Sequence, residues 1–467
     1  MQPFDQIKRY SDTVCQQISW KKAKSAIATE IENHLCDHRD VYMADGDDEE
    51  IATDKAILQM GDAVFVGQEL DKTHKPKPQW TMLALTGAFM LTGFFINFYL
   101  GRLISPLGSY LTTYSLISFV PAFAVLLFCY FLDFSVLGKY PLQCYCFVLI
   151  VSLISILLGT DVNGRLEWLV MGGFSVSISY LSLLFPLASA LLVYGMRGKG
   201  YRGIILCGIG FLPLAVMLLL IPTFTGFLIY TLSAFILLCF AIAKGWFSVN
   251  KKHGLLLVLV PTLIISAAIF GFVIQSPYFI RRFSIFLNPY EDRLGSGYVY
   301  CLVRDFLSEA VFIGQGGTPR GAEIANVPSI STDYPLVYLI HQFGYVILIG
   351  IVAMLLLYSV IGINKALKEK SVLGSLVALS IMLSFATQSA LFILDNLGYG
   401  LFSSLSLPFI SYGKTALVIN SALIGFMLSV FRTGDVYRDS VRSQARRRSI
   451  FSYKDGKLII NLRGERI

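Results

Sequence analysis

Near residue 80 the chain changes character. Before it, apolar residues recur at helical spacing among many charges. After it, apolar runs of about 20 residues follow one another with short polar breaks, the length a helix needs to cross a bilayer. The runs fall at 81–99, 113–132, 143–159, 175–195, 203–221, 224–243, 255–274, 334–360, 371–393 and 409–431. They predict an all-α, polytopic membrane domain of about ten transmembrane helices over residues 80–431. Residues 1–79 predict a small soluble helical domain, with amphipathic helices near 3–17, 20–42 and 48–60. Asp47 and Asp48 are placed to cap the third. The stretch Lys72–Pro78, KTHKPKP, reads as a linker holding this domain off the membrane. Residues 432–467 form a basic tail.

Composition sharpens this picture. Of 467 residues, 55% are hydrophobic and 15% charged, against about 25% charged in an ordinary soluble domain. The N-terminal domain holds ten Lys/Arg against fifteen Asp/Glu, a balance of −5, whereas the whole chain carries +8. It has no basic stripe, no Gly-rich phosphate loop and no His/Cys cluster, so a binding or regulatory module is expected and nucleic acid is not. The polar first 80 residues lack the apolar core of a cleaved signal, so insertion is expected to rely on the spans. The eight cysteines form no C-x-x-C pair and suggest neither zinc nor a disulfide framework. With the N-terminus inside, short inner loops carry ten basic residues, among them Arg197, Lys252 and Lys365, and short outer loops carry only Arg102 and Arg165. That bias puts both termini in the cytoplasm.

Two outer segments are longer than the rest, 160–174 and 275–333. The second is long enough to be functional, with an amphipathic helix expected at 298–313 to lie in the interface and a Gly-rich turn, GQGGTPRG, at 314–321. Asp333 closes it, at the mouth of span eight. A carboxylate half desolvated at that boundary gains basicity and suits a general base; the simpler reading is a helix cap. His341 and Gln342 lie two turns deeper, as ligand contacts or an interhelical hydrogen bond. Arg165, Arg281, Arg282 and Arg320 are candidates to hold an anionic phosphate, or else surface charges. Pro408 breaks the chain before span ten, where Ser411, Tyr412, Gly413 and Lys414 gather at the outer mouth. Lys414 there is either a partner for Asp333 or phosphate, or a snorkelling lysine.

Several motifs in order resemble one family. LPFISYG (407–413) resembles the closing signature of the SEDS family, the FtsW/RodA/SpoVE proteins of bacterial shape, division and sporulation. Gln388 and Gly398 fall in register with its penultimate span, and VPSISTDY (327–334) with its LPEAHTDF-like motif. RFSIFLNPYEDRLGSGY (282–298), VNGRLEWL (162–169) and GQGG (314–317) are similar to its remaining elements, over residues 81–431. The N-terminal domain, with ENHLCDHRD and its run of acids, resembles short prefix domains ahead of some bacterial permeases.

The resemblance implies a peptidoglycan glycosyltransferase in the bacterial cytoplasmic membrane, joining lipid II units outside the membrane beside a class B penicillin-binding protein. The family's essential aspartate falls on Asp333, as base or as ligand of a divalent cation (Mg or Mn). Arg165, Arg282 and Arg320 would then offset charge on the leaving diphosphate, with Lys414, Ser411, Tyr412 and His341 as further substrate contacts. The chain departs from the pattern at Ser177-Ile178-Ser179-Tyr180, where the family has Q-P-S-E, and at Leu183, its lysine position. It departs again at Ser329, His341, Gln342, Val299 and Lys414. These changes keep a second reading open, a non-catalytic scaffold that binds a lipid-linked precursor or a synthase. A third, a lipid flippase, would need an internal repeat that the sequence lacks.

Overall fold

The computed structural model describes residues 3–460 apart from 77, 104–107, 163–164, 172–173, 222, 320–323, 325–326, 331, 401–404, 412, 435–450 and 455–456. It divides into a unit of residues 1–437 and a C-terminal unit of residues 438–467.

The first unit begins with four helices rather than three: α1 (Pro3–Gln17), α2 (Lys21–Ala44), α3 (Glu49–Met60) and α4 (Ala63–His74). Ile7, Tyr10, Val14 and Ile18 line one face of α1 and its end, and Ile27, Ile31 and Leu35 one face of α2. At three- and four-residue spacing they close a core of their own with Ala56. The fourth helix takes up the first residues of the expected linker. Asp62 caps it by accepting from the Phe65 amide at 2.8 Å. The Ser19 amide and hydroxyl both donate to Asp71, at 2.7 and 2.9 Å. Asp48 is the N-cap of α3 without a side-chain capping bond, and Asp47 pairs with Lys55 at 2.6 Å instead.

The apolar runs form α5 (Trp80–Leu103), α6 (Gly108–Phe131), the short α7 (Ser135–Lys139) and α8 (Pro141–Leu157). A 3-10 turn (Ile178–Leu184) leads into α9 (Phe185–Met196), followed by α10 (Gly200–Leu220), α11 (Phe224–Ala243) and α12 (Lys251–Val273). The long loop holds α13 (Pro277–Leu287) and α14 (Tyr298–Ser308). The chain closes with α15 (Pro335–Phe343), α16 (Tyr345–Lys368), α17 (Val372–Asn396) and α18 (Lys414–Thr433). Among the described residues, eight helices are long and apolar enough to cross a membrane, and α6 and α8 contribute shorter apolar stretches.

Three expectations need correction. The fourth run does not start as helix at 175, and the outer segment before it, 160–174, carries strands. With the residues up to 177 it forms a three-stranded antiparallel sheet of β1 (Thr160–Val162), β2 (Arg165–Met171) and β3 (Phe174–Ser177), with Trp168 opposite Ser177. The helix expected at 298–313 ends at Ser308, and its apolar side (Cys301, Val303, Phe306, Leu307) is buried in the protein rather than laid on lipid. The eighth run is two helices joined at Gly344, whose φ of 85° favours glycine. The break leaves helical backbone groups without partners, and the preceding loop supplies them. Tyr345 and Val346 amides donate to Val311 and Phe312 carbonyls at 3.0 and 3.1 Å. Gly314 and Gly316 amides donate to Phe343 and His341 carbonyls at 3.1 and 2.7 Å.

The tenth run is also shorter than expected. Residues 405–411 are a buried, non-helical loop, and α18 starts only at Lys414. Non-helical backbone at this depth needs partners within the protein. The Asn97 amide donates to the Ile410 carbonyl at 2.8 Å, Gln388 to the Ser406 carbonyl at 2.6 Å, and the Ser406 amide to the Tyr180 hydroxyl at 3.2 Å. Gly93 on α5 lets Phe409 approach so closely that any Cβ there would overlap its carbonyl. In the C-terminal unit, Phe451–Lys454 and Lys457–Ile460 pair as an antiparallel hairpin.

Candidate functional site

Asp333 does not cap α15; Tyr334 holds that position. It ends a tight turn built on Ser329, which has a positive φ of 54°. The Ser329 carbonyl accepts from the amides of Thr332, Asp333 and Tyr334 at 3.0, 2.8 and 3.3 Å. Asp333 is exposed, yet protein packs closely around its carboxyl group. Loss of hydration raises its pKa above the ordinary carboxylate value, hydrogen bonds from Ser329 and Thr332 oppose that, and the negative charge of Glu167 adds to it.

Glu167 comes from β2. Leu169, two residues on and so on the same strand face, packs against Ile178, Leu181 and Ile221. That contact turns the face carrying Glu167 toward the bundle. Tyr300 and Tyr334 also lie within electrostatic reach of Asp333. Burial pushes the Tyr300 hydroxyl up to about 12, helped by Asp395 and opposed by Arg282. Beside them a cavity of about 140 Å³ is lined by Tyr278, Arg281, Arg282, Ile285, Ser296, Tyr300 and Gly400. Asp292 takes up one charge there, paired with Arg281 at 2.9 Å.

The other sequence-predicted residues fare differently. Arg282 lines the cavity and is half-buried. His341 is 2% exposed, its Nε2 3.2 Å from the Gly317 carbonyl and its ring edge-on to Phe306 at 5.5 Å. A substrate has almost nothing of it to touch; it fastens the Gly-rich turn. Ser411 is buried, its hydroxyl donating to the Leu407 carbonyl at 3.4 Å. Lys414 is exposed at the start of α18. Arg320, Tyr412 and the side chain of Arg165 lie outside the described residues.

Sequence reasoning missed Glu167, Tyr300 and Asn396. The sign of Asn396 was the pair Asp395-Asn396, two polar residues closing an otherwise apolar run; both are buried. Among the described residues no three His, Cys, Asp or Glu side chains gather as a metal cluster. Glu167 is the acid within electrostatic reach of Asp333.

These features define a multi-pass membrane protein with a desolvated carboxylate at one end of its helical bundle. The family model for FtsW, RodA and SpoVE, described as "Cell cycle protein", matches residues 79–435, and the chain belongs to that family. It is 27% identical over 309 residues to the probable peptidoglycan glycosyltransferase FtsW of Legionella pneumophila, covering 62% of this chain and 73% of that protein. It is also 27% identical over 301 residues to the stage V sporulation protein E of Bacillus subtilis, covering 62% and 78%. In fold it is similar to the rod shape determining protein RodA of Thermus thermophilus, with a TM-score of 0.52 at 18% identity over 78% of this chain and 98% of that one. A chain solved for polymerization and crosslinking by a peptidoglycan synthase complex gives a TM-score of 0.61 at 21% identity, over 76% and 98%.

Proposed function

We propose that this protein is a peptidoglycan glycosyltransferase that polymerises lipid II at the outer face of the bacterial cytoplasmic membrane, with Asp333 as its base. The observation that carries the reading is an exposed carboxyl group closely surrounded by protein, within electrostatic reach of Tyr300 in the wall of an arginine-lined cavity. A base must reach its substrate and be basic enough to take its proton; exposure serves the first and the raised pKa the second. Asp333 takes the proton of the acceptor sugar hydroxyl as the hydroxyl oxygen attacks the donor's anomeric carbon. The bond from that carbon to the diphosphate breaks, and the diphosphate leaves with the electron pair. Arg282 at the cavity wall faces that growing charge, where a fixed cation counts for more than in water. A divalent cation would be held by Asp333 with Glu167 and completed by water and diphosphate oxygens, the way Mg²⁺ is usually bound; it would supply charge neutralisation.

The basic inner loops support cytoplasmic termini, and a class B penicillin-binding protein is the partner that would crosslink the product. The test is polymerisation of lipid II by purified protein, with and without divalent cation and that partner. Asp333→Ala and Asp333→Asn are expected to abolish polymer at normal expression; unchanged polymer yield would sink the assignment. Two observations favour the scaffold reading instead. Tyr180, at the family's glutamate position, serves as an acceptor for the Ser406 amide, and the buried His341 is engaged with Gly317. For a scaffold, Asp333→Ala would leave cellular function intact while removal of residues 1–79 would not.

A further inference from the structure

We propose that Asn396, the last residue of α17, is a positioning residue for Asp333, an inference that rests on the glycosyl-transfer reading of the site. Its side chain is 1% exposed and engaged at both ends. Nδ2 donates to the Asp333 carbonyl at 2.8 Å and to the Phe392 carbonyl, one turn back on its own helix, at 3.1 Å. Oδ1 accepts from the Leu336 amide at 3.2 Å. That amide belongs to the first turn of α15, where helical N–H groups have no partner within the helix. One amide group therefore joins the end of a membrane span, the main chain of the reactive residue and the start of the next helix.

The peptide on the other side of Asp333 is held as well, by the Ser329 carbonyl at 2.8 Å. With its N–H and C=O both fixed, Asp333 retains only its side-chain torsions. The end of α17 is tied in turn to the cavity. Arg304 of α14 donates to the Gly398 carbonyl at 3.0 Å and to the Phe286 carbonyl at 3.2 Å, and stacks 4.6 Å over Tyr399. Phe286 lies on α13, the helix that carries Arg282. Asn396 thereby sets where the carboxylate stands relative to the arginines that would hold the diphosphate.

Steady-state lipid II polymerisation by the full-length chain in detergent tests this, using Asn396→Ala and the isosteric Asn396→Asp. The aspartate keeps an acceptor for Leu336 but loses the donor and sets a negative charge against the Asp333 carbonyl. A misplacement of about 1 Å costs on the order of a hundredfold, so kcat should fall by that order in both variants while KM stays within about twofold. Asn420→Ala serves as control. It removes a buried amide that bonds to the Ala416 carbonyl of its own helix at 3.0 Å, and is expected to keep wild-type kcat. If Asn396→Ala does not fold, Asn396→Asp decides. Polymerisation by Asn396→Asp at wild-type kcat, with Asp333→Ala inactive, would overturn the positioning role and leave the site assignment standing. A wild-type chain that makes no polymer would overturn that assignment and this inference with it.

Discussion

At Asp333, hydration, hydrogen bonding and charge act in different directions. Burial and Glu167 hold the proton on; the Ser329 and Thr332 hydroxyls favour its release. Because the folded pKa lies above that of a free aspartate, near 3.9, the acid limb of a kcat/KM–pH profile should sit above that value. Glu167→Gln removes a repelling charge, so Asp333 ionises more easily and the limb should move to lower pH. A limb that stays in place would show that Glu167 does not reach the site. Asp71 obeys the opposite sign. The Ser19 amide and then its hydroxyl hold the Asp71 carboxyl below its usual value. Its contribution to the N-terminal domain is therefore present above the unfolded value and lost as pH falls through the folded one. Asp71→Asn should flatten that acid loss in thermal unfolding followed between pH 5 and pH 3.

Among elements, the breaks matter more than the spans. A side chain at Gly344 would need a rare positive φ and would crowd the Phe312 and Val311 carbonyls, so Gly344→Ala should cost about 1–3 kcal/mol, read as a lowered unfolding midpoint. Asn97→Ala leaves the buried Ile410 carbonyl without its partner, with a cost of about 1–3 kcal/mol. Hydropathy made the spans legible because lipid-facing helices must be apolar along their length. It could not register the break at Gly344, since His341-Gln342-Phe343-Gly344-Tyr345 interrupts the run too briefly to split it. The sheet at 160–177 was hidden for a related reason: Leu166, Trp168 and Val170 alternate, but over only one short strand. Asp333 stood out through its sequence neighbours. Asn396 showed only as half of a polar pair closing an apolar run, because it works through a contact 63 residues away whose partner no local pattern names.

Across the molecule, the N-terminal helices close a core separate from that of the bundle. The chain resumes at Gln79, whose side chain bonds to Lys365 of α16. Deleting residues 1–79 should thus leave lipid II polymerisation by the purified remainder within about threefold of the full chain; a complete loss would mean that the acidic domain takes part in turnover rather than in control. The buried loop 405–411 bears on how such a molecule is made. Its backbone is satisfied by Asn97, Tyr180 and Gln388, drawn from the early, middle and late spans. All three partners precede the loop in the chain, so it can dock only once α5, the turn carrying Tyr180 and α17 stand in place. Docking of this loop is therefore a keystone step in assembly, and a nascent chain arrested before residue 414 should be inserted, protease-accessible in this segment and inert.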